Sequence, residues 1–365
     1  MFTQLLKPLS WLYGGITDVR NLLYDRNIIP VLRPATYTIA VGNLTVGGTG
    51  KTPHVDYLVS LLKAAGPVAT LSRGYGRRTR GFRLVTDADT ADTVGDEPLL
   101  LYRKHGKRAA GAGADVLVSV GEKRAESIPK LLTIRPDLRT IILDDAFQHR
   151  PVGPQLNLLL TDYHRPFYED DPFPGGRLRE RRHGARRADV ILVTKCPDEL
   201  GAAEQQAIRQ RIRQYGRAEV PVFFTGLRYG TPVHFAARPP AGKEKKGENR
   251  VVLVSGIARP EPLENYVRTH FSLVSHLRFA DHYRYTATDL DRMNRELPAE
   301  ATVLTTEKDF VKLAPLLAEA GADASRFQYL PIEIKFLSGE AAFKQIVQQT
   351  GPDPLDQGNA GVKKS

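Results

Sequence analysis

Short apolar runs recur along the first part of the chain, and each is followed by a more polar stretch. The runs are TYTIAVG, PVATLS, DVLVSVG, RTIILDD, LNLLLTD and DVILVTK. They are rich in Val, Ile and Leu and mostly apolar on both faces, which is typical of strands buried in a parallel sheet. Helical stretches lie between several of them, at residues 52–62, 122–132 and 198–215. This βαβ alternation predicts a doubly wound α/β domain over residues 35–218.

The pattern changes after residue 218. EVPVFFTGLRYGTPVHF contains two extended runs around a turn, which predicts a hairpin, and the Pro/Gly-rich ARPPAGKEKKGENR that follows predicts a linker or exposed loop. We assign this hairpin and linker to residues 219–250. A second, smaller α/β domain is predicted over residues 251–350, from the runs VVLVSGI, TVLTT and FQYLPIEI with helical stretches between them. The tail at 351–365 is expected to be disordered.

Residues 1–34 stand apart from both domains. An apolar stripe at helical spacing predicts an amphipathic helix there; its members are Leu12, Ile16, Val19 and Leu23, with Trp11 and Leu22 beside it. Such a helix either lies on a membrane surface with its apolar face among acyl chains, or packs on its own domain. The sequence pattern leaves both interpretations open.

Charge narrows the range of partners. The 365 residues include 52 Lys and Arg against 41 Asp and Glu, a formal net charge of +11, which favours nucleotides, nucleic acid or anionic membranes. The single cysteine, Cys196, excludes an internal disulfide framework and indicates a reducing compartment. We find no cleavable signal and no apolar run of about 18 residues, so a cytoplasmic protein is expected.

The stretch GNLTVGGTGKTP matches a phosphate-binding loop, G-x-x-x-x-G-K-[ST], except that Thr45 occupies the first glycine position. A strand precedes the loop and a helix follows it, so we predict that the loop binds ATP through Thr45, Val46, Gly47, Gly48, Thr49, Gly50, Lys51 and Thr52. Lys51 would reach the β- and γ-phosphates, and the hydroxyl of Thr52 would face Mg²⁺. Threonine is tolerated at position 45 if its φ stays negative.

A second signal is TIILDDAFQH, an apolar strand that ends in two aspartates. Asp144 and Asp145 would stand at the carboxyl edge of the sheet, where ligands collect in open α/β folds. Alone, the pair is equally well explained as a cap. With the loop upstream, the sequence predicts that Thr52, Asp144 and Asp145 hold Mg²⁺.

Two switch-type alternatives fit less well. ATPases of the chromosome-partitioning type carry a lysine directly before the Gly-Gly of the loop, and here that residue is Val46. A GTPase would read guanine with N/T-K-x-D; in TKCPD, Pro197 occupies the aspartate position and Asp198 lies one place later.

The motifs GNLTVGGTGKTP, LSRGYGR, VGDEP, LDDAFQHR, GGRLRE, RRADVILVTK, ADHYRYT and LTTEKDFVKL occur in this order. Together they resemble the tetraacyldisaccharide 4′-kinase family, over roughly residues 13–343. The family's loop has this threonine- or serine-initiated form, so Thr45 is a family trait. One departure is Ala146, where the family usually has glycine; alanine disfavours a positive φ.

The resemblance implies two P-loop-like α/β/α domains joined by a two-stranded linker. It implies transfer of the γ-phosphate of ATP, with Mg²⁺, to the 4′-hydroxyl of tetraacyldisaccharide 1-phosphate, giving lipid IVA in lipid A biosynthesis. It also implies a protein attached peripherally to the cytoplasmic face of the inner membrane through its N-terminal helix, with a lipid substrate, no nucleic acid and no obligate protein partner. The alternatives are a P-loop kinase for another sugar or lipid acceptor, and a nucleotide-controlled membrane-binding switch.

The resemblance also suggests individual roles. Asp96 of VGDEP would be the catalytic acid/base, paired with His282 of DHY in the second domain, and Lys51 would complete the catalytic set. Without the resemblance, Asp96 reads as a helix cap and His282 as a surface histidine. Seven residues are expected to bind substrate: Asn43, Arg73, Tyr75, Gln148, His149, Arg179 and Glu180.

Overall fold

The computed structural model describes residues 6–106, 115–235 and 250–349, and these form two β-sheets flanked by helices. The strands are β1 Tyr37–Asn43, β2 Val68–Ser72, β3 Arg83–Leu84, β4 Val116–Val120, β5 Thr140–Asp144, β6 Leu156–Asp162, β7 Val190–Thr194, β8 Val222–Tyr229, β9 Val233–His234, β10 Arg250–Ser255, β11 Ser272–Arg278, β12 Thr302–Thr306, β13 Phe327–Leu330 and β14 Ile332–Phe336. The helices are α1 Lys7–Asp25, α2 Lys51–Leu62, α3 Ala91–Val94, α4 Asp96–Leu101, α5 Arg124–Ile134, α6 Ala202–Arg213, α7 Glu261–His270, α8 Ala287–Glu296, α9 Glu307–Glu319 and α10 Glu340–Gln349. The predicted α/β class is confirmed.

The first sheet has nine strands in the order β14-β8-β7-β6-β1-β5-β2-β4-β3. Its central strand β1 is buried along its whole length and pairs in parallel with β5 and β6. Alternate side chains of β1 enter different cores: Ile39 packs with Leu58 of α2, whereas Ala40 packs with Ile128 of α5. A strand covered on both faces needs apolar residues at every position, which explains the continuous apolar runs.

The second sheet has five strands in the order β11-β10-β12-β13-β9. Strand β10, the second in this order, pairs in parallel with β11 and β12. Val252 packs on one face with Met293 of α8, and Val251 packs on the other face with Val267 of α7. The second sheet is therefore also sandwiched between helices.

Two antiparallel strands, β8 and β14, carry the chain between the sheets. Both belong to the edge of the first sheet, and Tyr229 pairs with Ile332 where the chain leaves and returns. Pro331 separates β13 of the second sheet from β14 of the first, because proline has no N–H for a continuous ladder. This pair corresponds to the expected two-stranded linker.

The extended runs in residues 219–235 do not pair with each other, in contrast to the expected hairpin. β8 pairs with β7 and β14, whereas β9 pairs with β13 of the second sheet. The turn between them spans the boundary between the sheets. Residues 236–249 of the expected linker and the expected tail at 351–365 lie outside the described residues.

The last helix, α10, packs on the first sheet although the sequence placed residues 251–350 in the second domain. Phe343 and Val347 belong to the core around β1, and the hydroxyl of Tyr37 donates to the Val347 carbonyl at 2.8 Å. The antiparallel return through β14 brings the chain back to the first domain, a path that depends on strand pairing and not on local pattern.

Helix α1 faces its own domain with polar groups and faces outward with apolar ones. Asn21 donates to the Glu180 carboxylate at 2.8 Å, and the Tyr13 hydroxyl donates to the Arg179 carbonyl at 3.0 Å. The exposed apolar side chains are Leu9, Trp11, Leu12, Ile16, Val19 and Leu22, and Leu23 is half-buried. Among the described residues, no helix is both long enough and apolar enough to span a bilayer.

Candidate active site

The glycine-rich loop joins the central strand β1 to α2 and has the backbone that a phosphate cradle needs. Gly47 and Gly50 adopt positive φ, 118° and 81°, and Gly50 caps α2 immediately before Lys51. Thr45 is not among the residues with positive φ, so its side chain causes no strain at the loop entry. Backbone amides and the N-terminus of α2 therefore meet at one place, which is an anion-binding arrangement.

Asn43 lies beneath this loop and holds it. Its amide donates to the Thr45 carbonyl at 2.7 Å and to the Thr49 hydroxyl at 2.9 Å, and the residue is fully buried. In this arrangement Asn43 holds the loop backbone, and its side-chain oxygen lies 3.4 Å from the Lys51 ammonium. Its expected contact with substrate stays a prediction.

Gln148 and Glu180 extend the same buried network. The Gln148 amide donates to the Asn43 carbonyl and to the Glu180 carboxylate, both at 2.9 Å. Glu180 also accepts from Asn21 at 2.8 Å and from Arg187 at 2.7 Å, and it is only 2% exposed. Glu180, expected to bind substrate, thus connects α1 to the phosphate loop through Gln148.

The two aspartates after β5 have different environments. Burial raises the pKa of Asp144 to about 6, with Lys51 opposing the shift. Burial also acts to raise the pKa of Asp145, but Lys51 and Arg179 outweigh it and lower the pKa. The Lys51 ammonium lies 3.4 Å from Asp145, and one Arg179 nitrogen lies 2.9 Å from both oxygens of that carboxylate.

Ala146, the departure from the family pattern, is accommodated without strain. Positive φ falls on Asp145, at 49°, and not on Ala146. The Ala146 amide donates to the Val41 carbonyl at 3.1 Å, and its methyl group joins the core beside α5. The turn therefore has no need of glycine at this position.

The donor set fits a hard divalent cation supported by a nucleotide. Oδ1 of Asp144 is buried without a hydrogen-bond partner among the described residues, and such an orphaned carboxylate oxygen suits a cation. The described residues contain no group of three or more His, Cys, Asp or Glu able to hold a metal alone. Mg²⁺ commonly takes one or two carboxylates and completes its shell with phosphates and water.

Positive charge surrounds His149. Burial lowers its pKa to about 4, and the charges of Arg124, Arg20 and Arg73 act in the same direction. Arg124 donates to the Asp144 carbonyl at 2.9 Å, so this guanidinium is fixed by the turn after β5. Arg73 is exposed at the end of β2. A neutral histidine near three arginines makes this part of the site electropositive.

Asp96 and His282 meet across the two domains although 186 residues separate them. Nδ1 of His282 lies 3.1 Å from Oδ2 of Asp96, at the start of α4. Burial acts to raise the pKa of Asp96, but the hydrogen bond from His282 and the charges of Lys312 and Lys308 outweigh it and lower the pKa. The hydrogen bond to Asp96 raises the pKa of His282. The exposed ring of Tyr75 lies 5.4 Å from the His282 ring.

Sequence reasoning assigned no role to two lysines of α9 that reach this pair. The Lys308 ammonium lies 3.1 Å from Nε2 of His282, and the Lys312 ammonium lies 3.6 Å from Oδ2 of Asp96. LTTEKDFVKL contained both residues, but their positions relative to Asp96 depend on how the domains pack.

A second group missed by the sequence lies beside the phosphate loop. Lys195, directly after β7, donates to the Gly48 carbonyl and contacts Asp162 at 2.8 Å. Arg259 of the second domain comes within 3.9 Å of the same Asp162 carboxylate. The sequence analysis gives Lys195 no role of its own, and in the structure it holds the backbone of the phosphate loop.

The fold and this site define a P-loop nucleotide-binding protein of two α/β domains, with a carboxylate–histidine pair across the cleft. A sequence model described as tetraacyldisaccharide-1-P 4′-kinase matches residues 2–351, and the chain belongs to that family.

Individual relatives agree over nearly the full length. The chain is 40% identical over 357 residues to tetraacyldisaccharide 4′-kinase of Cytophaga hutchinsonii, covering 97% of each chain. It is 38% identical over 352 residues to the same enzyme of Bacteroides thetaiotaomicron, covering 92% of this chain and 89% of the relative. Its structure is similar to that of LpxK from Aquifex aeolicus in complex with ATP, with a TM-score of 0.75, 27% identity and coverage of 96% and 100%.

Proposed function

We propose that this protein is an ATP-dependent kinase of lipid A biosynthesis, which phosphorylates the 4′-hydroxyl of tetraacyldisaccharide 1-phosphate to form lipid IVA. Membership of the family supports this assignment. The observation that carries it is the placement of Asp96 and His282 in hydrogen-bond contact across a cleft between a phosphate-loop domain and a second domain. A kinase needs both a nucleotide site and a group that activates an acceptor hydroxyl, and the phosphate loop and Asp96 are our candidates for these two roles.

The phosphate loop would hold the triphosphate through backbone amides and the N-terminus of α2. Lys51, the first residue of α2, would neutralise charge on the transferring phosphoryl group, because its ammonium extends toward the acidic edge after β5. Asn43 and Lys195 keep the loop rigid by bonding its backbone, so the donors are positioned before the nucleotide arrives.

Asp96 would accept the proton of the attacking 4′-hydroxyl. This role requires the carboxylate form, which the lowered pKa of Asp96 favours at neutral pH. His282 would orient the carboxylate by donating from Nδ1. Because the two residues come from different domains, the base is assembled only when the domains are together.

Arg73, Tyr75 and His149 are the residues we propose to face the lipid. Tyr75 is 71% exposed beside His282, and His149 lies among arginines that would attract the 1-phosphate. Arg179 donates to both carboxylate oxygens of Asp145, so it would hold that aspartate in place. It would bind a substrate phosphate only if the phosphate displaced the aspartate.

Thr52, Asp144 and Asp145 are the residues we propose to hold Mg²⁺. The cation would spread the negative charge of the β- and γ-phosphates while the protein fixes its position. The unpartnered oxygen of Asp144 and the absence of a self-sufficient metal cluster among the described residues support a cation shared with the nucleotide.

A direct test offers [γ-³²P]ATP and tetraacyldisaccharide 1-phosphate in detergent micelles to the purified protein. Label should appear in the lipid, and an acceptor whose 4′-position is already phosphorylated should stay unlabelled. Release of inorganic phosphate without labelled lipid would identify a nucleotide-controlled switch. Labelling of a different sugar or lipid, with the disaccharide untouched, would identify a kinase for another acceptor.

We further propose that α1 attaches the protein peripherally to a membrane surface, at the cytoplasmic face of the inner membrane. The helix directs Trp11, Leu12, Ile16 and Val19 outward while polar residues face its own domain, the reverse of an ordinary surface helix. An acylated substrate is delivered from a bilayer, so an apolar face beside the cleft would place the site at the lipid surface.

Replacing Leu12 and Ile16 together with glutamate should move the protein from anionic vesicles to the supernatant in a co-sedimentation assay. Both side chains are more than 60% exposed, so the fold should be preserved. High salt should weaken wild-type binding as well, because basic residues near an anionic bilayer add about 1 kcal/mol each. Ile134→Glu, at an exposed isoleucine of α5, is the matched control. Equal co-sedimentation of the double variant and the control would exclude this attachment.

A further inference from the structure

Helix α9 of the second domain presents two lysines to the Asp96–His282 pair. Lys308 and Lys312 are four residues apart, so they lie on one face of the helix, one turn from each other. Lys308 reaches Nε2 of His282 at 3.1 Å, and Lys312 reaches Oδ2 of Asp96 at 3.6 Å. Lys308 therefore contacts the ring nitrogen of His282 that faces away from Asp96, whereas Lys312 lies beside Oδ2 of Asp96, the same oxygen that His282 contacts.

Lys308 determines which nitrogen of His282 carries the proton. An ammonium group only donates hydrogen bonds, so Nε2 must accept from it. The proton of a neutral His282 then resides on Nδ1, from which it is donated to Oδ2 of Asp96. The opposite tautomer would place an N–H against the ammonium and a lone pair against the carboxylate.

Lys312 acts on Asp96 through charge. Its side chain is only 7% exposed, and its ammonium has no hydrogen-bond partner in the part of the chain that the structure describes. Its nearest carboxylate oxygen is Oδ1 of Asp309, at 3.1 Å, and Oδ2 of Asp96 follows at 3.6 Å. Oδ2 of Asp309 already accepts from the Gly256 amide and from the Thr306 hydroxyl. A buried cation held this way keeps a neighbouring carboxylate ionised.

We propose that Lys308 and Lys312 are positioning residues of the kinase reaction, which hold His282 as its neutral Nδ1–H tautomer and Asp96 as its carboxylate. This inference rests on the proposed function, because it concerns the state in which the pair accepts the proton of the acceptor hydroxyl. Bringing α9 against α4 would therefore assemble the base and set its protonation state in one movement.

The charges around the Asp96–His282 pair determine whether removing a lysine raises or lowers the pH at which the pair becomes protonated. Those facing Asp96 and His282 are Glu97 of α4, Asp281 beside His282, and Lys308 and Lys312 of α9. The carboxylates favour protonation of His282, whereas both lysines oppose protonation of the pair. Removing either lysine should raise the pH below which the pair is protonated and inactive.

The test is the pH dependence of kcat at saturating ATP and lipid. Lys308→Met and Lys312→Met should each move the acid limb upward by about one pH unit, the shift typical of losing an opposite charge at this range. Activity should then fall roughly tenfold at pH values below the limb and much less above it. Lys308→Arg and Lys312→Arg retain the charge and should retain the wild-type limb. Lys344→Met, at a half-exposed lysine of α10, is the control.

Lys312→Met leaves Asp309 as an uncompensated buried charge and is expected to destabilise the domain. Lys312→Met combined with Asp309→Asn removes both charges and keeps an oxygen that accepts from Gly256. Compared with Asp309→Asn alone, it isolates the loss of the Lys312 charge in a folded protein. A kcat that falls equally at all pH values in the methionine variants would make the lysines structural supports and overturn the inference.

A second readout needs no turnover. In ¹⁵N-histidine-labelled protein without nucleotide, the His282 resonances, assigned with His282→Gln, should show a proton on Nδ1, and Lys308→Met should raise the pH at which the ring becomes charged. A wild-type ring protonated at Nε2 would overturn the assignment. If the wild type is active and the methionine variants keep its pH profiles, this inference alone is refuted. If the wild type cannot phosphorylate the lipid, the proposed function is refuted and the inference with it.

Discussion

Lys51→Ala is expected to lower kcat by at least about 10²-fold, an order typical of losing one preorganised electrostatic contact in an active site. Lys51 is the first residue of α2, and its ammonium lies 3.4 Å from Asp145 and 3.4 Å from the Asn43 side-chain oxygen. The ammonium thus lies between the phosphate loop and the aspartates after β5, where the γ-phosphate would lie. Alanine removes the charge and leaves the loop backbone intact.

The measurement is single-turnover transfer to the lipid at saturating ATP, with thermal unfolding to verify the fold. Lys63→Ala is a suitable control, because Lys63 follows α2 at its other end and is exposed. The control should keep wild-type turnover. If a folded Lys51→Ala variant also turned over at close to the wild-type rate, Lys51 would have no role at the transferring phosphate.

The local pattern of apolar and polar residues predicted those parts of the fold that depend on a single strand or loop. β1 and β5 read as continuous apolar runs because both faces are buried, and GNLTVGGTGKT read as a phosphate loop because glycines and a lysine precede a helix. The expected bounds of α2 and α5 differ from the observed ones by a few residues at most. These features depend on neighbours along the chain.

Features that depend on contacts between residues far apart in the sequence could not be predicted from the local sequence pattern. Only the family resemblance suggested roles for Asn43 and Glu180, and no local pattern shows that Gln148 donates to the Asn43 backbone carbonyl or that Glu180 accepts from Gln148 and Asn21. The run after residue 218 read as a hairpin because nothing local shows that β8 and β9 join different sheets. Asp96 and His282 were paired only through the family resemblance, since no spacing rule connects residues 186 positions apart.

Asp96→Ala and His282→Ala should each lose roughly 10²- to 10⁴-fold in kcat, the usual contribution of positioned acid–base catalysis. Asp96 is the only one of the two that would take the proton, and His282 fixes its orientation through the 3.1 Å contact. Neither residue belongs to the phosphate loop, so the Kd for ATP, measured by titration calorimetry, should barely change. Asp96→Asn keeps the shape of the side chain and should be as inactive as alanine.

Because the two residues would act as one unit, the double variant should be little slower than the slower single variant. An orienting residue has nothing to orient once the carboxylate is gone, so the second loss does not multiply the first. The same comparison distinguishes a His282 that acts through Asp96 from a His282 that acts on its own. This matters because His282 also contacts Lys308 at 3.1 Å. Fully multiplicative losses in the double variant, or a large loss of ATP binding in either single variant, would refute the shared role and leave His282 as a surface histidine of the second domain.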